Sequence, residues 1–133
     1  MPPIDWTRLG SLEEMNQGNI LGLYILDDAG NPVECQDVLA WGQWLADHRE
    51  QKRIDRTELG DCLVSTVFDA IDRNPMRAFG DGWPPILYET MAFKGDKRID
   101  EDWACERYTT KKEALMGHAA MVDRVKQWLS RPL

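Results

Sequence analysis

CLVSTVFDAI at Cys62–Ile71 and PILYETMAF at Pro85–Phe93 are the two stretches whose reading decides the fold. Both are rich in β-branched and aromatic residues, and Gly, Pro or Asp bounds each of them. They are expected to form the two central strands of a small antiparallel sheet. Side chains alternate across a pleat, so Leu63, Ser65 and Val67 face one way while Val64, Thr66 and Phe68 face the other. In the second strand Leu87, Glu89 and Met91 share a face opposite Tyr88, Thr90 and Ala92. Glu89 is out of place between two apolar neighbours. A carboxylate there either reaches a cation or lines a pocket.

Reading outward towards the C-terminus, Lys94–Asp102 is a charged, solvated loop, and Arg107–Leu129 holds the clearest helix of the chain. Thr110-Lys111-Lys112-Glu113 is a capping box. Leu115, His118, Ala119, Val122, Val125 and Leu129 recur at helical spacing, with Met121 and Trp128 widening the stripe, and Pro132 stops the helix. Between the central strands, Asp72–Pro84 combines two Gly, two Pro and an Asn, which forbid regular structure through most of it. It is either a functional loop or a plain crossover with Phe79 and Trp83 tucked down.

Towards the N-terminus, Arg53–Leu59 is a weaker strand that turns at Gly60-Asp61 into the first central one. Asp37–His48 is an amphipathic helix with Val38, Trp41, Trp44 and Leu45 on its apolar side. The Trp41/Trp44 pair either packs on the sheet or offers a stacking platform. Leu21–Leu26 is a first strand, Asp27–Pro32 has strong turn chemistry, and Pro32-Val33 resumes an extended piece. Residues 1–20 form an N-terminal arm, with a short helical turn possible at Ser11–Glu14. The expected class is α+β: a small antiparallel β-meander with two amphipathic helices packed on one face. Residues 21–133 form a single domain.

Composition narrows the partners. The chain has 133 residues and a net charge of −7. That charge argues against direct binding of DNA or RNA, whose phosphates need a positive field. Six Trp are many for this length and supply both core and surface. Three Cys without a close pair make no disulfide framework and fit a reducing cytoplasm. The opening MPPIDW lacks the basic and apolar regions of a signal peptide, and no apolar run is long enough to span a bilayer. The expectation is a soluble, cytoplasmic protein with no membrane partner and no cofactor.

Few residues carry chemistry. The start of the last helix offers free N–H groups and a positive dipole end. Arg107, Tyr108, Thr109, Thr110, Lys111 and Lys112 surround it, and together they suit a phosphate or carboxylate. A well-capped helix with its lysines in water is the plainer alternative. His118 is either a core residue bonded to Glu89 or Thr66, or a ligand donor or general base. A Ser65–His118–Asp triad lacks any nucleophile elbow or oxyanion loop. Cys35, Cys62, Cys105, His48 and His118 lack the spacing of a zinc site. Gly80-Asp81-Gly82 lacks the Lys and helix of a phosphate loop.

Three pieces resemble a family of small, uncharacterised proteins of tailed phages and prophages: Leu-Val-Ser-Thr-Val-Phe, Pro-Pro-Ile-Leu-Tyr-Glu-Thr-Met-Ala-Phe and Glu-Arg-Tyr-Thr-Thr-Lys-Lys-Glu-Ala-Leu-Met-Gly-His. The resemblance covers about the last two thirds of the chain. It marks Ser65, Thr66, Asp72, Glu89, Thr90, Met91, Arg107, Tyr108, Thr110, Glu113, Gly117 and His118. This sequence departs from the pattern at Arg73, where the family has His, and at Lys111-Lys112, where the family is not basic. The resemblance implies a phage or prophage origin and no established activity.

Two functions of different kinds are expected. The first is a non-enzymatic phage accessory protein that counters host defence by binding a small anionic, nucleotide-like ligand. Its ligand-binding residues would be Arg107, Tyr108, Thr109, Thr110, Lys111, His118, Glu89, Thr66 and Trp83, with no catalytic or metal-binding residue. The second is an acidic inhibitor of a host defence protein that mimics nucleic acid, as some anti-CRISPR proteins do, through acids such as Asp100, Glu101 and Asp102. A small enzyme using His118 and Glu89 comes third. A homo-oligomer is compatible with either main reading.

Overall fold

A computed structural model of the chain describes residues 19–80 and 82–132. Most of the N-terminal arm, including the turn expected at Ser11–Glu14, lies outside the described residues. The chain divides into two compact units, Met1–Arg49 and Glu50–Leu133.

In the first unit, β1 (Tyr24–Leu26) and β2 (Pro32–Glu34) pair antiparallel, with Ile25 opposite Val33. The Asp27 carboxylate closes their turn by accepting from the Ala29 and Asn31 amides, which is the local bonding that makes Asp a turn residue. Helix α1 (Val38–Asp47) follows, and the Asp37 carboxylate caps it by accepting from the Leu39 and Ala40 amides. Trp41 and Trp44 are half-buried, and Trp44 stacks on His48 with ring centroids 4.7 Å apart.

The second unit starts within the short helix α2 (Arg49–Lys52) and carries a five-stranded antiparallel sheet. β3 (Arg53–Leu59) pairs with β4 (Cys62–Phe68), and β4 pairs with β5 (Tyr88–Lys94). Two short strands share the other side of β5: β6 (Lys97–Arg98) and β7 (Cys105–Tyr108). The β3–β4 and β5–β6 turns place Gly60 at φ +65° and Gly95 at φ +62°. Glycine takes that left-handed backbone without a Cβ penalty. The α+β class and the antiparallel pairing of the two central strands are thus as the sequence predicts.

Three local expectations need correction. Arg107 and Tyr108, grouped with the segment of the last helix, belong to β7, while α3 (Lys111–Leu129) begins after the Thr110 cap, where the capping box places it. The Lys94–Asp102 segment is not a plain loop; it makes a hairpin to β6 and buries Ile99. In the Asp72–Pro84 connection, Pro75–Phe79 forms a 3-10 turn capped by the Asn74 side chain. Phe79 is 78% exposed and Trp83 49%, so neither is tucked down.

The long helix α3 lies on the sheet face that carries Val64, Thr66, Phe68, Tyr88, Thr90 and Ala92, all buried. The helix buries Ala114, His118, Met121 and Val125 against that face. Leu115, Ala119 and Leu129, expected on the buried stripe, are exposed. Both stripes obey the same helical spacing, and the closer fit of Ala114 to the sheet decides between them. Cys62, Val64, Ala92, Ile99, Ala104, Met121 and Val125 form the core cluster. Among the described residues no helix is long and apolar enough to cross a membrane.

Candidate functional site

The two faces of the sheet do different work. On the helix face, Thr66 and Thr90 stand opposite each other in the β4–β5 register, and their hydroxyls lie 2.6 Å apart. His118 reaches down from α3 between two strands. Its Nδ1 is 2.7 Å from the Thr66 hydroxyl and its Nε2 is 2.8 Å from the Thr57 hydroxyl of β3. Each hydroxyl can donate or accept, so either neutral tautomer is fully bonded. Asp55 lies 3.7 Å from Nε2 but is largely exposed. Burial pushes the imidazole pKa down, and Asp55 only partly opposes it. His118 is 2% exposed, with both nitrogens engaged. The arrangement ties the helix to β3 and β4 and leaves no ring nitrogen for a substrate.

Tyr108 lies on the same face and meets the helix at Gly117. A Cβ at Gly117 would fall on the Tyr108 hydroxyl and ring, so only glycine lets the ring come this close. Burial raises the Tyr108 pKa; Thr90 pulls it back without closing a hydrogen bond of acceptable geometry, and the hydroxyl has no partner among the described residues.

The N-terminus of α3 is already occupied by the chain itself. The Thr110 hydroxyl accepts from the Glu113 amide, while the Thr109 and Thr110 hydroxyls both donate to the Glu113 carboxylate at 2.7 and 2.9 Å. These bonds hold the Glu113 pKa below the usual carboxylate range. The capping box therefore places an anion where a ligand's phosphate was expected.

On the opposite face of the sheet, strand alternation turns Arg107 away from Tyr108. The β5–β7 register sets it directly across from Glu89, and its Nε donates to the Glu89 carboxylate at 2.8 Å. This is the cation that the misplaced Glu89 reaches. A second pair lies beside it: Arg73 Nε donates to Asp69 at 2.7 Å, after β4 has ended and the chain has turned. The Glu89 charge also reaches Arg73, and the Arg73 charge reaches Arg107. In both pairs the carboxylate is the more buried partner. Glu89 and Asp69 side chains are 13% and 19% exposed, against 48% for Arg107 and 44% for Arg73. Both terminal nitrogens of each guanidinium make no further hydrogen bond among the described residues. Arg98 of β6 and half-buried Cys105 of β7 adjoin the cluster. Burial raises the Cys105 pKa, Glu89 adds to that, and Arg107 and Arg98 oppose it.

The residues expected to form one site therefore separate into several places. Thr66, Tyr108 and His118 belong to the core face, and Arg107 and Glu89 to the opposite face. Thr109 and Thr110 close the helix cap, Lys111 is exposed on its first turn, and Trp83 is exposed in the loop. Of the motif residues, Asp72 also has a structural duty: its carboxylate accepts from the Asn74 and Ile86 amides. The Arg107–Glu89 pair joins a half-exposed guanidinium to a carboxylate that is mostly buried. Arg73 and Arg98 were missed as site residues. The only local signal was the spacing of Asp69 and Arg73, which suits an i,i+4 ion pair. Among the described residues no cluster of His, Cys, Asp and Glu could hold a metal ion. No protein-family model, curated protein or solved structure matches this chain.

Proposed function

We propose that this protein is a non-enzymatic binding protein that takes a small anionic, nucleotide-like ligand on the sheet face opposite α3, between Arg73 and Arg107. The observation that carries this reading is the way each guanidinium is held. Asp69 and Glu89 bond their arginines at Nε, and the terminal nitrogens of these half-exposed side chains make no hydrogen bond among the described residues and form a donor fork. Two such forks side by side match the geometry of phosphate or carboxylate oxygens. The rotamer entropy of both arginines is already spent in the ligand-free fold, which favours binding. The net charge of −7 does not oppose this, because a local cluster of fixed donors acts over a few ångströms and distant charge is screened by salt. Binding rather than chemistry fits His118, the sequence's candidate base, which is consumed in the core. The resemblance to phage proteins supports an accessory role, in which holding such a ligand would blunt a host defence that signals through nucleotides.

The test is a calorimetric titration with a panel of cyclic and linear nucleotides, repeated on Arg107→Lys and Arg73→Lys. Lysine keeps the charge opposite Glu89 or Asp69 but removes the fork. Each substitution is expected to weaken binding by at least about tenfold, the equivalent of one charged hydrogen bond, with an unchanged thermal midpoint. Undiminished affinity in the Arg73→Lys/Arg107→Lys double variant would remove the site from this face.

A further inference from the structure

A cavity of about 330 Å³ opens on the other side of the sheet, between α3 and the segment from Trp103 to Tyr108. A smaller hollow of about 290 Å³ adjoins it, and the two share Trp103 and Arg124. The first is at the small end of the size range for ligand pockets. Its walls are Trp103 and Tyr108, its floor includes Met121, and Arg124 and Glu106 contribute its charges. Because Tyr108 abuts Gly117 and Arg124 covers Trp103, β7 and α3 run past each other along the cavity, with Glu106 between those two contacts.

Its charges are exposed and unpaired among the described residues. The Arg124 guanidinium lies 5.7 Å from the Trp103 ring centroid. No carboxylate of the described residues is within ion-pairing distance of it, Glu106 included. A cation over an indole gains from the ring's quadrupole and is held in one place without being neutralised. Next to it, Lys94 stands over Trp128, 5.6 Å from the ring centroid. The cavity thus offers an aromatic wall, an apolar floor, a fixed cation at one end and a carboxylate partway along.

From this we infer that the cavity between α3 and Trp103–Tyr108 is a second binding site, for a small flat aromatic acid whose carboxylate meets Arg124 and whose far end carries a donor for Glu106. The ring lies against Trp103 and Met121, where area burial and ring contact favour it. An aromatic ring without an acid leaves Arg124 unused, and an acid without a donor leaves Glu106 facing an anion.

The probes are para-aminobenzoate, benzoate and aniline, titrated against the full chain with binding read by ligand-observed NMR. Para-aminobenzoate is expected to bind most tightly, benzoate about tenfold more weakly, and aniline not measurably, each step being the loss of one charged hydrogen bond. Arg124→Gln, at an exposed helix position, is expected to weaken para-aminobenzoate at least about tenfold. Glu106→Leu is expected to erase the difference between para-aminobenzoate and benzoate. Failure of every probe to bind at millimolar concentration, or binding indifferent to Arg124→Gln, would overturn the inference.

Discussion

Gly117→Ala is expected to destabilise the protein by about 1 kcal/mol net, although alanine is the better helix former. Two effects of opposite sign compete at this position. In an exposed helix interior, Gly→Ala gains about 1 kcal/mol from reduced backbone entropy in the unfolded chain. Here the added methyl would coincide with the Tyr108 hydroxyl and ring. The Tyr108 backbone is held on β7, with its carbonyl accepting from the Leu87 amide and its Cα partnered with Tyr88, so relief must come from turning the ring or lifting the helix. The helix would have to lift from the sheet or the ring would have to leave its place, and overpacking of this kind costs about 1–3 kcal/mol on its own. A double-mutant cycle isolates the cause. Tyr108→Leu removes the obstructing ring, so Gly117→Ala should cost far less in that background than in the parent, with a coupling energy of about 1–3 kcal/mol. Urea titrations of the four proteins measure it. A Gly117→Ala protein as stable as the parent would mean that the helix does not approach Tyr108 this closely.

His118→Ala is expected to cost about 3 kcal/mol. The substitution leaves a void under α3 and strips the Thr57 and Thr66 hydroxyls of a partner at once. Thr66 is fully buried and keeps only Thr90, so the loss combines a cavity with an unsatisfied polar group. The same residue sets an acid dependence. Burial holds the folded-state pKa of His118 below the ordinary value of 6.5. The unfolded chain therefore takes up the proton first as pH falls. Stability is fully present above about pH 6.5 and declines below it, until the folded protein also titrates. The slope cannot exceed about 1.4 kcal/mol per pH unit. Urea midpoints measured between about pH 7.5 and 5 for the parent and for His118→Gln separate this from the other titrating groups, because only the parent carries the His118 contribution. Parallel profiles for the two proteins would show that His118 is not held neutral in the core.

Both predictions concern residues that the fold brings together for structural reasons. Thr66, Thr90, Tyr108, Gly117 and His118 meet at one place between the sheet and α3. A sequence reader sees a histidine on an apolar stripe and two threonines in apolar strands, and can assign them to a site as readily as to a core. The fold resolves the ambiguity through hydrogen bonds: both imidazole nitrogens are engaged by neutral hydroxyls, and Asp55, 3.7 Å away, only partly opposes the effect of burial.

The sequence by itself determined whatever depends on neighbours along the chain. Alternation in Cys62–Phe68 and Tyr88–Phe93 specifies which side chains share a face, because the pleat has a period of two. Thr110 and Glu113 locate the start of α3, because a capping box is closed within four residues. Asp37 likewise locates the start of α1. Only the tertiary structure decided matters that depend on register and docking. Cys105–Tyr108 carries no strong strand signal of its own and is extended because the open side of β5 supplies hydrogen-bonding partners. The choice between the Leu115 and Ala114 stripes of α3 turns on which one fits the sheet. The arginine pair is assembled from Asp69–Arg73 at the end of one strand and Glu89–Arg107 across two others. No local rule links residues that far apart; the β5–β7 register sets Arg107 against Glu89, and the packed fold brings Arg73 alongside.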